Sequence, residues 1–116
     1  MLKSEPKDAL YVAAGPLGPA KRAEIIKLAA ETHTPAIYCF RIFALGGGLM
    51  SFAVDEIELF RRAAAFVDAI LKGANPAEMP VEEPSKFKLA INMKTAKALG
   101  LAVPPSLLAR ADEVIE

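Results

Sequence analysis

The sequence predicts an α/β fold, a partial doubly wound parallel sheet with elements in the order β-α-β-β-α-β-α. Three observations lead there. Short, nearly unbroken apolar runs at 9–14, 36–40 and 49–53 read as strands covered on both faces, the pattern of a parallel sheet. Longer segments with apolar residues at helical spacing alternate with them. The joints are short and marked by Gly and Pro.

The first strand, 9–14, lies between Asp8 and Gly15. In the GPLGP that follows, Gly18 serves as N-cap and Pro19 as first helical residue. The helix runs to Thr32, with Ile25, Ile26, Leu28 and Ala29 as its apolar stripe and Lys21, Arg22, Glu24, Lys27 and Glu31 on the wet side. Thr34-Pro35 ends it, because a residue before proline avoids the helical region. The second strand is 36–40, and a strand–helix–strand with short joints requires parallel pairing and a right-handed crossover. Gly46, Gly47 and Gly48 form a flexible turn before the third strand, 49–53. Asp55 caps the longest helix, with Glu58 three residues on as in a capping box. Leu59, Phe60, Ala63, Ala64, Val67, Ile70 and Leu71 trace its apolar face. Gly73 stops it and Pro76 forbids continuation. The stretch 74–85, with three prolines, is an extended connection. Phe87–Asn92 alternates as a strand. Asn92 then caps a short helix ended by Gly100, and Pro104-Pro105 starts a last helical turn through Leu107, Leu108, Ala111 and Val114.

At 116 residues the chain makes one small domain. With 53% hydrophobic residues, it predicts more apolar surface than one copy covers, a mark of an interface. Fourteen basic and fourteen acidic residues leave zero net charge, so nothing in the charge balance favours nucleic acid or an anionic membrane. Neither does charge oppose self-association. The lone Cys39 has no partner for a disulfide and reads as a small buried hydrophobe. No stretch reaches the ~20 apolar residues of a membrane span. MLKSEPKDAL lacks the charged region and apolar core of a signal peptide, so a cytoplasmic location is expected for the chain as written.

Chemistry-bearing motifs are sparse. The triple glycine lacks the spacing of a dinucleotide fingerprint, and GPLGPAKR is not a phosphate-binding loop. The helix start at 17–20 reads as a tight turn or, alternatively, as an anion site built from free amides. His33 is the only histidine and sits at a helix end, without companions for metal binding or acid–base work. None of Ser4, Ser51, Ser85 and Ser106 stands in a nucleophile elbow. Asp55, Glu56 and Glu58 are explained as capping and dipole complement. No catalytic residue, metal or cofactor is expected.

Four stretches carry a resemblance: GGLMSF from Gly47, LFRRAAAFVDAILKGANPAEMP from Leu59, KTAKALGL from Lys94 and the closing PPSLLARADEVIE. Together they resemble the C-terminal part of ABC-transporter substrate-binding proteins, type I periplasmic receptors for amino-acid-like small solutes. The resemblance implies Rossmann-like lobes. It makes 8–45 the end of the C-terminal lobe, 46–85 the crossover strand, helix and hinge, and 86–116 the return strand and C-terminal helices. It implies a ligand between lobes at the carboxyl ends of strands, closure about a hinge, a periplasmic setting and an ABC permease as partner. By the same likeness Gly15 and Leu17 follow the first strand at the cleft, Arg41 matches a recurrent arginine after the second, and Ser51 matches the serine of a GGLMSYG segment. Phe52 stands where that segment has tyrosine, Ala53 where it has glycine, and Ile42 where an acidic residue tends to follow the arginine. Tyr38, Arg41, Ser51, Phe52, Gly15 and Leu17 are therefore the expected ligand-binding residues.

Three readings stay open. In the first, the chain is a non-catalytic solute-binding fragment whose recognition is rebuilt between subunits or lost. In the second it is a self-assembling structural remnant, a homodimer or higher oligomer without ligand. In the third it is a flavodoxin-like module that binds an anion, which requires phosphate or acid–base chemistry at the strand ends.

Overall fold

A computed structural model describes residues 8–116; Ser4 and most of the amino-terminal MLKSEPKDAL lie outside the described residues. Five strands form one sheet in the sequential order β1-β2-β3-β4-β5: Leu10–Val12, Ala36–Tyr38, Met50–Val54, Phe87–Asn92 and Glu113–Ile115. Helices α1 (Leu17–Ala20) and α2 (Arg22–Glu31) join β1 to β2, and α3 (Arg41–Leu45) joins β2 to β3. The long α4 (Glu56–Leu71) follows β3, while α5 (Met93–Ala98) and α6 (Pro105–Leu108) join β4 to β5. Pairs β1–β2, β2–β3 and β4–β5 are parallel, as short crossovers demand. Asn92 N–H donates to Leu49 at one end of the β3–β4 pair, and Asp55 N–H donates to Lys86 at the other, so these two strands run in opposite directions. The chain divides into two units: the part through Ala53 together with Lys88–Glu116, and Val54–Phe87.

In the first unit the buried sheet face carries Ala36, Tyr38, Leu49, Ser51, Ala53, Ala90 and Asn92. Tyr38 and Phe43 form a core with Ala29 and Ala36, and Leu10, Val12, Ile25, Ile26 and Phe40 pack around it. The other face is partly open: Tyr11, Phe52 and Val114 are exposed. Ile91, which alternates with Ala90 and Asn92, is nevertheless fully buried on that second face.

The elements follow their expected causes, with several differences. The first strand keeps only Leu10–Val12 of the run 9–14, and the first helix starts at Leu17 with Pro16, not Gly18, as N-cap. Pro76–Glu78 forms a 3-10 turn in the connection expected to be extended. The first helix breaks at Lys21 (φ −104°, ψ 16°) into α1 and α2. It ends as expected at His33, which takes a left-handed φ of 52° while Thr34 N–H closes on the Ala29 carbonyl at 2.9 Å. The second strand is shorter than its apolar run, because Arg41–Leu45 turns into helix and buries Phe43 and Ala44; a continuous apolar run does not tell the two apart. The third strand is displaced by one residue, to Met50–Val54.

The triple glycine is the stop of α3. Gly47 has φ 106°, and Gly48 N–H bonds to the Phe43 carbonyl at 2.8 Å. A Cβ on Gly48 would lie 2.6 Å from the Tyr38 ring, so only glycine allows this approach.

The last difference corrects the chain's end. Residues through Val114 were expected to stay helical, but Glu113–Ile115 forms β5 beside β4. Asp112 causes this. Its N–H donates to the Leu89 carbonyl at 2.9 Å and its carboxylate accepts the Leu89 N–H at 2.8 Å. That double attachment starts a parallel ladder, and the β-branched Val114 and Ile115 continue it.

Asn92 is both the end of β4 and the cap of α5. Its Oδ1 accepts Thr95 N–H at 3.1 Å, and its Nδ2 donates to the Ala44 carbonyl at 3.0 Å. Thr95 Oγ1 donates to the Gly47 carbonyl at 2.8 Å.

The second unit is built on α4. Asp55 caps it, accepting Glu58 N–H at 3.3 Å, and no residue of the helix is buried. Arg62 reaches Glu82 through a double hydrogen bond, its Nε at 2.9 Å, and ties the helix to the proline-rich return segment.

Replacing Asn92 by alanine removes the α5 cap, a loss of about 1 kcal/mol. It also removes one of two donors to the buried Ala44 carbonyl, which keeps the Gly47 N–H at 3.2 Å, a further loss of about 0.5–1.5 kcal/mol. Urea unfolding of Asn92→Ala should show a loss of about 2 kcal/mol, and a change within about 0.5 kcal/mol would refute the role.

Candidate functional site

The carboxyl ends of the parallel strands β1 and β2 are tied together by Cys39 N–H, which donates to the Val12 carbonyl at 3.2 Å. Gly15 and Leu17 follow β1 here and are exposed. Arg41 opens α3 just after β2.

The Arg41 guanidinium grips the Glu113 carboxylate with two hydrogen bonds, Nε to Oε2 at 2.6 Å and an Nη to Oε1 at 2.7 Å. The backbone explains the reach. Tyr38 pairs with Ser51 across β2–β3, and Ala90 pairs with Glu113 across β4–β5. Arg41 lies three residues beyond Tyr38 and spans the strands between. The Arg41 hydrogen bonds hold the Glu113 carboxyl below the usual carboxylate range. Both side chains remain partly open to solvent.

Other expected site residues fall elsewhere. Tyr38 is buried, its ring stacked on Phe43 with centroids 4.7 Å apart and planes 14° apart. Burial pushes its hydroxyl pKa up. The cavity it lines, with Gly48 and Thr95 among its walls, is about 10 Å³, room for one water at most. Ser51 is fully buried, and its Oγ has no hydrogen-bond partner. Phe52, the next residue, stands half exposed. The structure thus places Arg41, Gly15 and Leu17 after adjacent strand ends, and Tyr38 and Ser51 in the interior. Among the described residues, no group of three or more His, Cys, Asp or Glu side chains could hold a metal ion.

Glu113 was missed. It lies 72 positions from Arg41, in a segment that reads as helix, so nothing local signals the pair. Also missed was a cavity of about 260 Å³ within the second unit. Leu59, Ala63, Phe66 and Pro84 give it apolar walls, and Arg62 and Glu82 belong to its lining. Glu82 raises the Arg62 pKa, by hydrogen bonding first and by charge second. Arg62 also lies 6.0 Å over the Phe66 ring.

The family model for ABC transporter substrate binding proteins matches residues 6–115. Among solved structures, the chain is similar to a Streptococcus pneumonia ABC domain in complex with L-Trp, at 30% identity and a TM-score of 0.86 over 93% of this chain. It is similar to a conserved domain protein from Vibrio cholerae, at 26% identity and a TM-score of 0.87 over 92%. It shares the fold of CD0873, a Clostridium difficile substrate-binding protein with adhesive properties in its ligand-free, open form, at 23% identity and a TM-score of 0.67 over 92%. The chain spans 37%, 36% and 36% of these three chains. No curated protein matches significantly.

Two measurements check the geometry. Glu113 has a depressed folded pKa, so the pair stabilises the fold above the ordinary carboxylate pKa of about 4.3. That contribution is lost as pH falls through the depressed value. In Arg41→Met, an NMR titration of the Glu113 carboxyl should move up toward the ordinary value; an unchanged midpoint would mean that Arg41 is not the cause. Ser51→Ala removes a buried hydroxyl without a partner. Its melting temperature should be unchanged or higher, and a fall of several degrees would show that the hydroxyl is bonded in solution.

Proposed function

The chain belongs to the ABC transporter substrate-binding protein family, and from that premise we propose that it supplies part of a binding cleft for an amino-acid-like solute. The Arg41–Glu113 pair beside the carboxyl ends of the strands carries the reading. A zwitterionic amino acid presents the same two groups in reverse. Its carboxylate suits the fork of the guanidinium, and its ammonium suits the carboxylate. Gly15 and Leu17 offer exposed apolar surface for a side chain, Tyr38 and Ser51 support the strands from within, and Phe52 lies on the other face of the sheet from Glu113. The similarity to an L-Trp complex supports an aromatic or large apolar amino acid.

The family is a solute-binding, non-catalytic one of periplasmic or extracellular proteins. Among the described residues no helix is long and apolar enough to cross a membrane. Delivery of the solute to an ABC permease is the role this reading assigns. The chain spans little more than a third of its solved relatives, so the facing wall of the cleft comes from other polypeptide, a second copy being one source.

The test is a thermal-shift titration with L-Trp, branched amino acids and small organic acids, on protein of measured mass. Ligand at ~100 times its Kd adds about 2.7 kcal/mol. That should raise the melting temperature by on the order of ten degrees, and Arg41→Met should abolish the shift. No shift with any amino acid would overturn the proposal.

A further inference from the structure

One row of the sheet connects the two members of the ion pair. Tyr38 pairs with Ser51, and Ala90 pairs with Glu113. The bonds from Asn92 N–H to Leu49 and from Asp55 N–H to Lys86 fix the antiparallel register between β3 and β4 and set Ser51 opposite Ala90. Tyr38, Ser51, Ala90 and Glu113 thus follow one another across one face. Tyr38 is the last residue of β2, so the row lies at the carboxyl end of that strand. Arg41 follows Tyr38 at one end of the row, and its guanidinium bonds to Glu113 at the other.

Within this row the Ser51 hydroxyl is fully buried and has no hydrogen-bond partner. A helical serine can turn back on the carbonyl four residues earlier, but a strand brings no such carbonyl alongside. On the same face Tyr38 offers a ring stacked on Phe43, and Leu49, Ala53 and Ala90 offer apolar side chains. Asn92 spends both ends of its amide on Ala44 and Thr95. The charged groups at the row, on Arg41 and Glu113, are bonded to each other. Alanine would fill position 51 without an unpaired hydroxyl, so in the ion-paired state the hydroxyl only weakens the fold.

We propose that Ser51 takes its partner from the solute, donating its Oγ–H to the carboxylate once the solute has separated Arg41 from Glu113. The inference rests on the amino-acid reading of the pair. A carboxylate has about four lone-pair sites, and the guanidinium fork uses two of them, so a third donor is accommodated. The ammonium goes to Glu113, farther along the row. A hydroxyl that is unpaired in the free protein gains its full bond on binding, and in a dry setting that bond to a charged group is strong. The consequence is selectivity. An amine without a carboxylate can meet Glu113, but it leaves Arg41 and Ser51 without the acceptor they share, and a site built this way rejects it.

The test is isothermal titration calorimetry with L-Trp and L-leucine on the wild type and on Ser51→Ala, with the melting temperature of each protein measured alongside. The wild type should bind at least one of the two. Ser51→Ala should weaken that binding about ten- to a hundredfold, the usual effect of losing a hydrogen bond to a charged group, while its melting temperature is unchanged or higher. Tryptamine, which lacks the carboxylate, should not distinguish the two proteins. Equal amino-acid affinity for both proteins overturns the inference and leaves the amino-acid site standing. A loss of affinity that comes with a fall of several degrees, or that extends to tryptamine, overturns it too, because the hydroxyl then serves the fold. A wild type that binds neither amino acid removes the cleft reading, and this inference with it.

Discussion

The first unit depends on one buried amide. It is assembled from two stretches of chain, one through Ala53 and one from Lys88 onward, with 34 residues between them. Asn92 joins the two at the point where β4 becomes α5. Its backbone N–H bonds to Leu49, its side chain donates to Ala44, and its Oδ1 caps the helix it begins. Thr95, one turn on, adds a bond to Gly47. An apolar residue at position 92 would still fill the space, but it would leave a helix start uncapped and break the side-chain link to Ala44.

The geometry at the strand ends follows from that join. With β4 held antiparallel to β3, β5 is brought in parallel to β4, and its first residue lies in the row that begins with Ala90. Glu113 thereby comes within reach of Arg41. Asp112 sets the register by clasping Leu89 from both sides, and a slip of one residue would turn Glu113 to the other face. The candidate binding pair is thus a consequence of sheet topology, and no helix or loop presents both of its members.

Signals of short range were legible in the sequence. The Asp55 cap, the Asn92 cap, the bounds of Phe87–Asn92 and the stop after Leu71 each depend on residues within a few positions. Illegible were decisions made by distant partners. The apolar run 36–40 leaves the strand after Tyr38 and leads into a helix whose Phe43 stacks on Tyr38, and nothing in its periodicity records that. The terminal PSLLARADEVIE reads as a helix on composition, and only the Leu89 backbone makes its end a strand. The same limit governs the candidate site. Arg41 and Ser51 were expected there through resemblance, and Glu113 was signalled by nothing. The strand's alternation separates Ser51, buried, from Phe52, exposed, one position away.

Stability and binding make opposite demands on Arg41 and Glu113. A half-exposed ion pair contributes little to folding, because water and salt screen it and two long side chains are immobilised. What recommends a pair of this kind for binding is the same weakness. In the proposed cleft its members are already aligned, so an entering zwitterion would meet preorganised partners and give up little in separating them. A fully buried pair would hold tighter and would resist replacement, since each charge would lose its only partner in a dry interior. The partial exposure at these strand ends therefore suits exchange of partners better than reinforcement of the fold.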